Sequence, residues 1–348
     1  MKCNRRAFIC TLGASAFAYP AHRLISQPVR DHSQHKEKDD DDKPVDSARL
    51  HNSVLWHDPG LAAALDLLNG QGGKDGQPVP PFRFESEDLH GTNPKFDVHD
   101  AHGTKWRVKL GDEARPEVVA SRLLWATGYF VNDDYVLGSA HVDDLHITRG
   151  AAHASDGQIV DARFEKKPEG QKKIGIWSWY KNPFIGTKQF NGLRVMMAVM
   201  NNWDLKDVNN AVYEDKDSGR DTLLVSDLGA CFGTNGLSYS KSRSKGDVDT
   251  FAKSKFIIRK TDREVDFGTP AAPNAILAPK VKQYQMRRDL EWIGQQIPIA
   301  DARWIGSLLK QLTHQQLVDA FRAGQFQPDE IEKYVDVIER RINELAAL

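Results

Sequence analysis

The stretch from Leu193 to Gly229 constrains this chain most. Leu193 to Met200 is apolar but for Arg194, so a helix over about Gln189 to Asn201 is expected to be buried nearly all round. A polar loop follows at once, carrying Asp204, Lys206 at +2 and Asn209 at +5. Leu223-Leu224-Val225-Ser226 then reads as a buried strand that ends on Asp227-Leu228-Gly229, a carboxylate before a flexible glycine. Two aspartates are therefore delivered to the edge of one core with different chemical prospects. Asp204 is suited to accept a hydroxyl proton or orient an acceptor, and Lys206 to stabilise developing negative charge. Asn209 and Asp227 offer hard oxygens to a divalent cation. The competing reading is a polar loop whose Asp and Asn only do turn work.

A chain of 348 residues buries a large core and is long enough for one two-lobed domain or two ordinary ones. Its formal net charge is -1, so no global field favours nucleic acid or an anionic membrane. Met1 to Ala21 has a basic start at Lys2, Arg5 and Arg6, an apolar run from Ala7 to Ala18, and small residues at Ala16 and Ala18. This is signal-peptide architecture, too short for a stable transmembrane span, and predicts an exported protein, periplasmic or extracellular. Asn4-Arg5-Arg6-Ala7-Phe8-Ile9 resembles a twin-arginine export motif. Cys3 and Cys10 lie in this leader, which leaves Cys231 alone and rules out an intrachain disulfide in the mature protein. Residues 22–49 hold a polar, charged run with Lys36 to Lys43 and read as a disordered linker.

Folded structure is expected from about Leu50. A short helix with Asp58 as its N-cap, strands at Phe82 to Phe84 and Lys95 to Val98, and a hairpin turning at Asp100 to Gly103 into Lys105 to Leu110 follow in order. A helix opens at Pro116 and runs to Trp125, ended by Gly128. Phe164 and Ile174 to Trp177 suggest two more strands. Gly236 to Thr269 is polar and basic, Pro270 to Lys280 is an Ala/Pro linker, and the last seventy or so residues are helical. Thr313 to Gln316 forms a capping box, and Ile331, Tyr334, Val335, Ile338, Ile342 and Leu345 make one apolar stripe.

Lys109 leaves its strand on the face opposite Val108 and Leu110, and the next helix carries Glu117 in its first turn. A strand-to-helix Lys109–Glu117 pair would hold the ammonium in place, with Glu113 as the alternative partner. The polar segment from Glu85 to Lys95 precedes that strand at the distance of a phosphate-covering hairpin loop. Gly91, Thr92, Ser86, Asn93 or backbone amides would do the cradling.

The order Lys109, Glu117, Asp204-Leu205-Lys206-Asp207-Val208-Asn209, Asp227-Leu228-Gly229 resembles the protein-kinase-like fold. Asn202-Trp203 precedes the first Asp, no Ala-Pro-Glu element follows, and the hairpin loop has one glycine. In these respects the chain looks more like the atypical branches: HipA-like, phosphatidylinositol-kinase-like and secreted-pathway kinases. The resemblance implies an α+β, two-lobed fold, with a β-rich N-lobe over 50–180 and a helical C-lobe over 181–348. It implies Mg²⁺ and ATP as cofactors, Lys109 on the nucleotide phosphates, Asp204 as catalytic Asp, and Asn209 and Asp227 as metal ligands. The acceptor would be an unknown protein, small-molecule or sugar hydroxyl. The alternative is an exported, non-catalytic, pseudokinase-like binding protein. ATP is scarce outside the cytoplasm, so an exported kinase acts before export or uses another donor.

Overall fold

The computed structural model describes residues 42–348, apart from 92, 167–169, 235–244 and 269–287. The leader and the Pro270 to Lys280 linker lie outside the described residues.

The first sheet is a small closed barrel. Strands β1 (Phe82–Asp88), β2 (Lys95–His99) and β3 (Lys105–Leu110) form antiparallel hairpins. β3 pairs with β6 (Gln158–Lys166), β6 with β4 (Asp133–Asp143), and β4 returns in parallel to β1, which closes the ring. β5 (Ala154–Ser155) extends β6. The turn between β2 and β3 is fixed by Asp100: its carboxylate accepts the amides of His102 and Thr104, each at 2.9 Å, and the Trp106 indole N–H at 2.9 Å. Gly103, at φ +77°, supplies the left-handed step.

Strand alternation fills the barrel. Phe82, Phe96, Val98, Trp106, Val108, Leu110, Tyr135 and Phe164 all turn inward and are buried together. Lys109 therefore points outward, as its register predicts. On that outer side lies helix α1 (Ala114–Ala126), which starts two residues earlier than expected from Pro116.

The second lobe is built on α2 (Lys188–Val199), whose residues from Phe190 to Val199 are all buried. The Thr187 hydroxyl caps α2 by accepting the Phe190 amide. The three-stranded sheet β7 (Gln171–Gly175), β8 (Asn210–Asp215), β9 (Asp221–Val225) packs beside it. α3 (Val248–Lys253), β10 (Ile257–Lys260), β11 (Glu264–Phe267) and β12 (Ile297–Pro298) follow, then α4 (Ile299–Leu309), α5 (His314–Ala323) and α6 (Pro328–Ala346). The Thr313–Gln316 capping box forms, and the six-residue stripe on α6 is buried.

The structure departs from the local reading in four places. The helix expected after Asp58 is a single 3₁₀ turn at Ala62–Ala64, because the Asp58 carboxylate accepts the Gly60 amide at 2.9 Å instead of capping a helix. β4 had no signal in the apolar pattern, since Asp133, Gly138 and Ser139 interrupt it, yet it sits between β1 and β6 in the barrel. Residues 245–268, polar in composition, contribute Phe251, Phe256, Val265 and Phe267 to the core. Residues 42–52 also pack on the second lobe: Pro44 bridges to Ile176, and Arg49 reaches Asp221 at 2.8 Å.

No described helix is long and apolar enough to cross a membrane.

Candidate active site

Lys109 is the centre of the junction between the lobes. Its ammonium lies 3.0 Å from Glu117 Oε2, 2.6 Å from Glu113 Oε2 and 2.5 Å from Asp227 Oδ1, with only 5 % of its side chain exposed. Both glutamates expected as alternatives are partners at once. They lie four residues apart, one turn of α1, and so share its face towards the barrel. Burial opposes charge on Lys109, but Glu117, Asp227 and Glu113 outweigh it and raise its pKa.

The acids respond in different ways. Glu117, with 2 % of its side chain exposed, is pushed up by burial even though Arg163 Nη1 sits 2.7 Å from Oε1. Burial also raises Asp227, but the Lys109 ammonium prevails and draws it down to about 2. Glu113 is lowered by Lys109 and by Lys245, whose ammonium is 2.6 Å from Oε1, against the effect of burial. Asn93, in the loop between β1 and β2, donates its amide to Glu113. Arg163 stands opposite Lys109 in the β3–β6 register and also binds Glu165 at 2.7 Å. Sequence reasoning missed Arg163 and Lys245, and it offered Asn93 as a phosphate cradle where the structure bonds it to Glu113. Only the pairing of strands distant in sequence places Arg163 next to Lys109.

Asp227 follows β9 at φ +51°, a left-handed conformation that Asp tolerates better than most residues. Gly229, two residues on, is required by contact. A Cβ there would lie 2.4 Å from Glu113 Cβ and 2.8 Å from its Cγ. The stem of Glu113 thus rests directly on the Asp-Leu-Gly backbone, and Leu228 is buried in the core.

The Asp204 loop is held by its own polar side chains. Asn202 Oδ1 accepts the Asp204 amide at 3.0 Å. Asn209 Nδ2 donates to the Asp204 carbonyl at 2.7 Å, and Asn209's own carbonyl accepts the Ser226 amide at 2.9 Å and its hydroxyl at 3.0 Å. That pair of bonds ties the loop to the residue before Asp227. Lys206 Nζ lies 3.0 Å from Asp204 Oδ1, and both side chains are partly open to solvent.

The donor set suits a magnesium ion. Lys109 engages Asp227 Oδ1, and 46 % of the Asp227 side chain remains exposed. Asn209 donates its side-chain N–H to the Asp204 carbonyl, so the side-chain oxygen is the atom it could offer a cation. No cluster of three His, Cys, Asp or Glu side chains suited to a metal occurs among the described residues. Two protein oxygens are enough for a cation that takes its remaining ligands from phosphates and water.

The other candidates are divided. Gly91, at φ +71°, forms the tip of the β1–β2 loop, and its carbonyl accepts from Arg149 Nη1 at 2.9 Å. Thr92 lies outside the described residues. Lys109, Glu117, Glu113 and Asp227 form one cluster, while Asp204, Lys206 and Asn209 form a second joined to it through Ser226.

No family model and no curated protein sequence matches the chain. Among solved structures it is similar to the Helicobacter pylori proinflammatory kinase CtkA, at 10% identity over 77% of this chain and 97% of that one, with a TM-score of 0.41. It is also similar to the Golgi casein kinase, at 10% identity over 94% of this chain and 92% of that one, with a TM-score of 0.38. The functional reading rests on the site itself: a strand-rich lobe and a mainly helical lobe, α+β in layout, meet where Lys109 joins Glu117 to Asp227.

Proposed function

We propose that this chain is an atypical kinase-like phosphotransferase that uses Mg-ATP on a hydroxyl acceptor. The observation that carries the reading is the single ammonium of Lys109 bonded at once to the helix acid Glu117 and to Asp227 of the Asp-Leu-Gly motif, at 3.0 and 2.5 Å. This contact couples the nucleotide-facing lobe to the carboxylate that would hold the metal. Asn209 and Asp227 would hold Mg²⁺, which would neutralise the phosphates of the donor. Asp204 orients the acceptor hydroxyl and takes its proton, and Lys206 beside it balances charge as the phosphoryl group moves. The rest of the catalysis is positioning: the Asn202 and Asn209 bonds fix the Asp204 backbone before substrate arrives. The acceptor is a protein, small-molecule or sugar hydroxyl, and the leader makes the protein an exported one.

Thermal unfolding with and without Mg-ATP tests the nucleotide reading. At one hundred times Kd the ligand adds about 2.7 kcal/mol, whereas an unchanged midpoint at millimolar Mg-ATP removes the reading. Asp227→Ala is expected to abolish the magnesium-dependent part of that shift while the protein stays folded; an identical shift in mutant and wild type sinks the metal assignment. A protein that binds Mg-ATP but transfers no label from it to any acceptor is the non-catalytic binding protein instead.

A further inference from the structure

The three N–H bonds of an ammonium are all spoken for at Lys109. Glu113, Glu117 and Asp227 lie 2.6, 3.0 and 2.5 Å from its nitrogen. A phosphate oxygen gains Lys109 only by displacing a carboxylate, and Glu117 is too deeply buried to find water in exchange. The strand lysine is thus already used as the joint between the lobes.

Lys95 is in the opposite condition. It faces Lys109 in the β2–β3 register, half-buried on the same side of the barrel. Its ammonium has no hydrogen bond or ion pair among the described residues. The neighbouring cations are all satisfied: Arg107 by Asp97 and Asp88, Arg163 by Glu117 and Glu165, and Lys245 by Glu113. Burial lowers the pKa of Lys95, and Lys109 and Arg107 lower it further, while Asp88 and Asp227 attract it from beyond contact distance. A half-buried ammonium in this state is a cation held ready for an anion.

Gly91 of the β1–β2 loop lies close to this ammonium. A Cβ at Gly91 would lie 3.5 Å from Lys95 Nζ, so any side chain at that position would approach the ammonium, and glycine has none. The Gly91 carbonyl is turned away to Arg149 and does not cap Lys95.

We propose that Lys95, rather than Lys109, makes the first cationic contact with the phosphates of the nucleotide, under the Gly91 turn. The inference rests on the nucleotide-binding reading above and assigns the phosphate end of that site. Lys109 keeps its carboxylates and holds Asp227 and α1 in position. Lys95 donates its N–H groups to non-bridging phosphate oxygens, and no bond is made or broken in the binding step.

Calorimetric titration of the full chain with Mg-ATP and with adenosine tests this on wild type, Lys95→Met and Lys95→Arg. Loss of a charge-assisted contact weakens Mg-ATP binding about 10- to 100-fold in Lys95→Met. Adenosine, which has no phosphate, binds all three proteins alike, and Lys95→Arg restores most of the Mg-ATP affinity. Mg-ATP binding by Lys95→Met as tight as wild type overturns the assignment and leaves the nucleotide reading standing. Wild type that binds neither ligand overturns both. Removing an unpaired half-buried charge is also expected to leave the melting temperature of Lys95→Met equal or higher; a fall of several degrees shows that Lys95 has a structural partner and refutes the premise.

Discussion

Replacing Lys109 by Met keeps the apolar stem that packs between β3 and α1 and deletes only the charge. Three carboxylates lose their common cation. Asp227 stands near 2 in place of 3.8, which corresponds to about 2.4 kcal/mol at 1.36 kcal/mol for each pKa unit. With 46 % of its side chain in solvent, screening reduces this to about 1 kcal/mol. Glu117 is the larger loss, since stranding a buried acid costs roughly 3–5 kcal/mol, but Arg163 at 2.7 Å remains and holds the cost near the lower end or below it. Glu113 keeps Lys245 at 2.6 Å. The expected loss is about 3 kcal/mol at pH 8, or about 6 °C in melting temperature for a chain of this size.

The pH dependence has a definite sign. The Asp227 contribution exists because its folded pKa is depressed, so in wild type it is present above pH 3.8 and is lost as pH falls towards 2. The variant lacks it at every pH. Glu117 is already raised by burial and rises further without the ammonium, so in the variant its burial costs less as pH falls and more as pH rises. Differential scanning calorimetry of both proteins at pH 5 and pH 8 should show a gap that widens with pH. Melting temperatures within about 1 °C at both pH values would refute the view that this cluster joins the lobes.

Gly229→Ala drives a methyl group into the Glu113 stem, 2.4 Å from its Cβ, and should cost about 1–3 kcal/mol by urea denaturation while weakening nucleotide binding; an unchanged midpoint shows that α1 moves freely against the Asp-Leu-Gly segment. Arg341 of α6 is fully buried and donates to the Ala198 and Val199 carbonyls at 2.9 and 2.8 Å, the last turn of the helix that feeds the Asp204 loop. Arg341→Leu removes the guanidinium from both carbonyls and leaves Ala198 with the Asn201 amide at 3.1 Å, so a loss of about 1–3 kcal/mol and faster amide hydrogen exchange at Asn201 and Asn202 are expected, and wild-type exchange there would remove the link from α6 to the loop. Export predicts a mature N-terminus near Ala18 by mass spectrometry, and recovery of a chain that still begins at Met1 from the envelope fraction contradicts cleavage.

What the sequence determined by itself was local. The alternation of Lys105 to Leu110 defined β3 to the residue and set Lys109 on its outer face, because a strand has only two faces and the apolar residues claim one. The apolar run before Asp204 specified a buried helix, and the spacing of Asp204, Lys206 and Asn209 on one short loop needed no partner to be recognised. Glu117 was legible for the same reason, as the acid in the first turn of the next helix. Tertiary structure decided everything that depends on closure. The β3–β6 pairing set Arg163 beside Lys109, and the β2–β3 register brought Lys95 across from it; neither neighbour is implied by its own segment. The folding of α1 over the Asp-Leu-Gly turn made Glu113 an equal partner, since a helix presents residues four apart to the same charge. Residues 118 positions apart thus come to share one ammonium between Lys109 and Asp227. Local pattern records which face a side chain takes, and only the packed lobes determine which charges meet there.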